Sequence, residues 1–130
     1  MFQRARHHIT VADGSAEQLP VDDRTVDAIW AVNTMHHWVD PERGAAEIAR
    51  ALRPGGRIVL VDENFEDPSH PEYERFGSEH GDEHHGFTMV DAGRMGELLT
   101  TVGLTDVDTS LRTLAGRPTI SITASSPADG

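Results

Sequence analysis

The chain has 130 residues, of which 37% are apolar, enough for one domain with a real core and too few for two. Its 22 acidic side chains face 11 basic ones, all arginine, and a net charge of -11 opposes a phosphate backbone or an anionic lipid surface. Neither nucleic acid nor membrane is therefore an expected partner. Zero cysteines exclude disulfides, thiolate nucleophiles and Cys-type metal sites together. No apolar run approaches the ~20 residues of a membrane span. Arg4, Arg6, His7 and His8 stand where a secretory signal would be apolar, so a cytoplasmic protein is expected.

In chain order, Ile9 to Ala12 reads as a short strand, followed by a loop from Asp13 to Asp23. Residues 27–33 contain the run Ala28-Ile29-Trp30-Ala31-Val32, apolar without alternation, as in a strand buried on both faces. Trp30 is accordingly expected in the core. Asp40 is a good N-cap, Pro41 suits the first helical position, and Ala45, Ile48, Ala49 and Leu52 form one apolar stripe. The expected helix runs from Pro41 to Leu52. Pro54 ends it, and Gly55-Gly56 supply a turn into a second both-face-buried strand over 57–62.

Residues 64–86 lack periodicity and read as an acidic loop with a short helix near Glu72–Phe76. Asp91 caps a helix to about Val102, with Gly103 as its stop. Alternation over 105–113 and 118–124, around Ala115-Gly116-Arg117-Pro118, predicts an antiparallel hairpin. The tail 126–130 is expected to fray. The class is α/β: a parallel core, with a C-terminal antiparallel hairpin. Ligands of such sheets bind beyond the carboxyl ends of the strands, here Asp13–Glu17, Val32–His37 and Asp62–Phe65.

Several motifs then stand in one order: Gly14-Ser15-Ala16-Glu17-Gln18-Leu19-Pro20, Val26-Asp27, Met35-His36-His37, Asp40-Pro41-Glu42 and Leu52-Arg53-Pro54-Gly55-Gly56-Arg57. From about Phe2 to Asp62 the chain closely resembles the class I S-adenosylmethionine-dependent methyltransferases of the small-molecule type. Leu98-Leu99 to Leu104 and the hairpin match more loosely. The resemblance implies an incomplete Rossmann-like sheet over residues 1–125, with 64–86 as a substrate-side insertion. It implies S-adenosylmethionine as cofactor and methyl transfer to a small molecule. Ser15 falls where the family has a polar residue near the adenine amine, with the Ala16 N–H beside it. Val32 and Asn33 would approach the methionyl part.

The family's glycine-rich loop and ribose-holding acid belong upstream of Ile9, where eight residues leave no room for a βαβ unit of ~30 residues. An N-terminally truncated domain is therefore expected, with impaired methyl transfer by the chain alone and an exposed sheet edge favouring a homodimer or aggregation. A non-catalytic remnant or interaction module is one alternative; a His- and acid-rich metal-binding protein is another.

No catalytic residue is assigned. His36 or His37 could serve as a base, or simply pack under Trp38. His80, Asp82, Glu83, His84 and His85 have ligand types at helical spacing, or form a solvated lid; no metal site is assigned. Asp62 and Glu63 touch substrate or act as solvated strand caps.

Overall fold

The computed structural model describes residues 9–76 and 91–128. Their elements are β1 (Val26–Val32), α1 (Pro41–Ala51), β2 (Leu52–Glu63), α2 (Tyr73–Phe76), α3 (Ala92–Thr101), β3 (Thr105–Leu114) and β4 (Arg117–Ser125). They build one four-stranded sheet of order β1-β2-β4-β3. β1 and β2 run parallel, with Ile29 opposite Ile58 and Val32 opposite Val61, joined by α1. β4 is antiparallel to both β2 and β3. The parallel pair and the C-terminal hairpin are thus as expected. Ala115 and Gly116, both at positive φ, make the tight turn whose twist suits paired strands.

Both longer helices start on an aspartate. The Asp40 carboxylate accepts from Arg43 N–H and that of Asp91 from Arg94 N–H. α1 and α3 lie on the same face of the sheet, where Ile48, Leu98 and Leu99 cover Ile58, Leu60, Ile120 and Ile122. Trp38 lies over Gly44, where a Cβ would meet its ring at 2.7 Å.

Four expectations need correction. The parallel strands are buried on one face only: Ile58 and Leu60 are inaccessible, but Trp30 is 73% exposed and Val32 54%. Trp30 is therefore not core. Both helices cover the same side, and nothing among the described residues covers the other. Ile9 to Ala12 forms no strand, since Ile9 and Val11 are about nine-tenths exposed and find no partner strand.

The turn expected at Gly55-Gly56 lies inside β2 as a bulge: Val26 pairs with Leu52 but Ala28 with Arg57, so the helix ends at Ala51. Gly55 takes φ +82°, and at Gly56 a Cβ would strike the Arg53 carbonyl at 2.8 Å. Ser126, at the start of the tail, is tied to this bulge through Gly55 N–H to its carbonyl and its own N–H to the Gly56 carbonyl. Finally, Asp62 is not a solvated cap; it is wholly buried.

Candidate active site

The carboxyl ends of β1 and β2 lie side by side, and the polar residues that follow them meet there. Asn33 turns the chain at φ +57°, donating its N–H to the Val61 carbonyl at 2.7 Å. The next residues form a single 3-10 turn, Met35–His37, which brings His36 over the end of β2. Asp62 Oδ1 lies 2.6 Å from His36 Nδ1 and accepts from Glu63 N–H at 2.7 Å, while its Oδ2 accepts from His36 N–H. The His36 and Glu63 backbone N–H groups and the His36 ring thus satisfy this buried carboxyl group.

A second acid–imidazole pair follows. Glu63 Oε1 lies 2.6 Å from His70 Nε2 and accepts from Arg117 Nε at 3.1 Å. Burial works against the Glu63 carboxylate, but its bonds to His70 and Arg117 outweigh that and hold its carboxyl below the usual range. Phe65 makes T-shaped ring contacts with both imidazoles, with centroids 5.6 Å from His36 and 4.8 Å from His70.

The loop bearing Ser15 and Ala16 is fastened to α1. Asp40 N–H donates to Glu17 Oε2, and Leu19 N–H to Glu47 Oε1 at 2.8 Å. Arg50 bonds Glu47 through Nε, Asp23 through Nη1 and the Leu19 carbonyl through Nη2. The Arg50 hydrogen bond is the main reason the Glu47 carboxyl sits below its ordinary range; partial burial opposes it and the Leu19 N–H adds to it. Held this way, Ser15 and Ala16 line a cavity of about 310 Å3 together with Ala31, Thr34 and Trp38. The Ala16 N–H has no acceptor among the described residues.

The expected cofactor residues are therefore only partly gathered. Ser15 and Ala16 share one cavity with the flanks of Val32 and Asn33, whereas the Val32 and Asn33 side chains do not line it. A second cavity of about 390 Å3 opens between the first turns of α1 and α3, floored by Met35, Trp38, Met95 and Leu98 and crossed by the Arg94–Glu42 ion pair. The His80–His85 cluster lies outside the described residues.

Glu47, Arg50, His70 and Arg117 were not singled out from sequence. The i,i+3 spacing of Glu47 and Arg50 on the loop side of an otherwise apolar helix was the available signal. For His70 and Arg117 no local signal existed, because their common partner Glu63 is 7 and 54 residues away.

The chain is similar to known proteins over part of its length. A family described as a methyltransferase domain matches residues 1–60. An uncharacterised methyltransferase of Mycobacterium tuberculosis is 54% identical over 48 residues, covering 37% of this chain and 19% of that protein. A dimethylglycine N-methyltransferase of Parasynechococcus marenigrum is 41% identical over 54 residues, covering 42% and 19%. The structure of an S-adenosylmethionine-dependent methyltransferase from Thermotoga maritima, a possible histamine N-methyltransferase, superposes with TM-score 0.69 at 22% identity. That match covers 90% of this chain and 64% of the other. The chain thus matches about a fifth of the length of these curated relatives and under two-thirds of that structural neighbour. Residues 1–60 are thus similar to a methyltransferase domain, and the fold of the described residues is similar to that of S-adenosylmethionine-dependent methyltransferases.

Proposed function

We propose that this chain serves methyl transfer from S-adenosylmethionine to a small-molecule acceptor in the cytoplasm. The observation that carries the reading is the cavity where Ser15 and Ala16 meet the end of β1, fastened by Glu47 and Arg50. When bound, the cofactor supplies an electrophilic methyl group on a sulfonium. The chain's own work is then to bind and orient, since in-line positioning accounts for most of such a reaction. Ser15 and the Ala16 N–H hold the adenine edge; Val32 and Asn33 flank the methionyl part. The names of a dimethylglycine N-methyltransferase and of a possible histamine N-methyltransferase both refer to small amines, which supports a small acceptor.

The described residues include the Ser15–Ala16 wall but no glycine-rich turn beside an acid. We therefore propose that the 130-residue chain alone binds the cofactor only in the millimolar range, where about 4 kcal/mol of binding remains, and that its transfer is impaired accordingly. Calorimetric titration with S-adenosylmethionine tests this. Millimolar affinity supports it; micromolar affinity contradicts the impairment, and no binding at all contradicts the function.

A second reading, an interaction module, is favoured by one observation. Among the described residues β1 has a single strand neighbour, β2, and carries Trp30 and Val32 exposed on the face the helices leave open. Pairing of two chains along this edge would return such side chains to cover at roughly 2 kcal/mol each. We propose that the isolated chain forms a homodimer, or aggregates, through β1.

A further inference from the structure

We propose that the cavity between the first turns of α1 and α3 is a binding site for a small organic cation, an ammonium group on a compact apolar body. The proposal concerns binding alone and does not rest on the methyl-transfer reading above.

The floor of the cavity selects the body of the ligand. Met35, Trp38, Met95 and Leu98 are buried members of the core, and all four also line this space of about 390 Å3. Two thioethers and an indole make a polarisable, apolar surface that favours compact hydrocarbon. Val39 and Pro41 carry the apolar wall outward to the rim. Trp38 lines the Ser15–Ala16 cavity as well, so the two cavities meet at this residue.

The rim selects the charge. Among the described residues that line the cavity, the carboxylates of Asp40, Glu42 and Asp91 stand against the single guanidinium of Arg94. Arg94 Nη2 bonds Glu42 Oε2 at 3.0 Å, an exposed ion pair that joins the two helices. Asp40 and Asp91 form no ion pair among the described residues, and each keeps its second carboxylate oxygen outside its capping bond.

Two helix N-termini would by themselves attract an anion. Here the caps answer that pull: Asp40 accepts from Arg43 N–H, Asp91 accepts from Arg94 N–H, and Pro41 brings no N–H at all. The charge left toward an incoming ligand is negative. An apolar floor below a negative rim fits a cation whose hydrocarbon fills the floor while its charge meets the carboxylates.

Three probes of one shape and different charge test this on the full chain. They are choline, the neutral alcohol in which carbon replaces its nitrogen, and the tert-butylacetate anion. Binding is read from the methyl resonances of Met35 and Met95 in methyl-labelled chain. Choline should shift both and bind about fivefold tighter than the alcohol, with the anion weakest, and high salt should erase the difference. Arg94→Gln should tighten choline binding by releasing Glu42. Asp91→Asn, which keeps a capping side chain, should weaken it. Both positions are exposed, so an unchanged circular dichroism spectrum is expected of each variant. An alcohol that binds as tightly as choline makes the cavity merely apolar and overturns the proposal. An anion that binds tightest, or choline binding weakened by Arg94→Gln, gives the rim to Arg94 and overturns it too. Choline that leaves the Met35 and Met95 methyl groups unshifted does the same.

Discussion

Trp38 closes over Gly44 so tightly that a Cβ on residue 44 would meet ring atoms Cε3 and Cζ3 at 2.7 and 2.9 Å. This contact seats the 3-10 turn bearing His36 on the first turns of α1. Gly44→Ala should gain ~1 kcal/mol of helix propensity and lose ~1–3 kcal/mol to overpacking against a buried ring. The expected net effect is a lower melting temperature with a shifted Trp38 fluorescence. A more stable variant with unchanged fluorescence would mean that the turn moves freely.

Glu47 and Arg50 hold the Ser15–Ala16 loop to α1. Glu47→Ala removes the acceptor of the Leu19 N–H and an Arg50 partner together, and should cost about 1–3 kcal/mol. Amide exchange at Leu19 should accelerate ahead of that in the core strands. Uniform acceleration along the chain would show that the loop is not separately fastened.

Glu47 and Glu63 both sit below the ordinary glutamate value of 4.5 in the folded chain. The unfolded chain takes up these protons first as pH falls. Their stabilisation is thus complete above the ordinary value and lost as pH drops below it through the folded-state values. Thermal melts should show stability falling with pH below about 4.5, with a shallower fall in the double variant Glu47→Gln, Glu63→Gln. An identical slope in that variant would contradict these assignments.

Asp62→Ala strands three polar groups, the backbone N–H of His36 and of Glu63 and the His36 ring Nδ1. Each buried orphan group costs ~1–3 kcal/mol, so the total should reach at least about 3 kcal/mol by chemical denaturation. A loss under about 1 kcal/mol would mean that water reaches the site.

Association through β1 should be visible from Trp30. In a Trp38→Phe background, its emission should move to the blue as protein concentration rises, with light scattering reporting the dimer or larger species. A monodisperse monomer with slow amide exchange along Ala28–Val32 would contradict an open edge.

The elements legible in sequence were those whose causes are local. Asp40 and Asp91 mark their helices by capping, and the alternation flanking Ala115-Gly116 marks the hairpin. The apolar runs of β1 and β2 gave their parallel pairing but not their exposure. Composition reports what a strand is fit to be buried by, while Trp30 and Val32 are covered only if something lies over them. The same limit applies to the site. Ser15, Ala16, Val32 and Asn33 came from a motif, but the pairing of His36 with Asp62 spans 26 residues and depends on β1 and β2 being adjacent.

The central claim is that the Ser15–Ala16 wall receives the adenine end of the cofactor, and one titration tests it most directly. With 15N-labelled chain and S-adenosylhomocysteine added to millimolar concentration, amide shifts should concentrate at Ser15, Ala16, Ala31 and Thr34, around the cavity they line. Ser15→Ala should weaken the response without altering the rest of the spectrum. Shifts confined to the opposite sheet face around Val59 and Thr123, or none at all, would contradict the account.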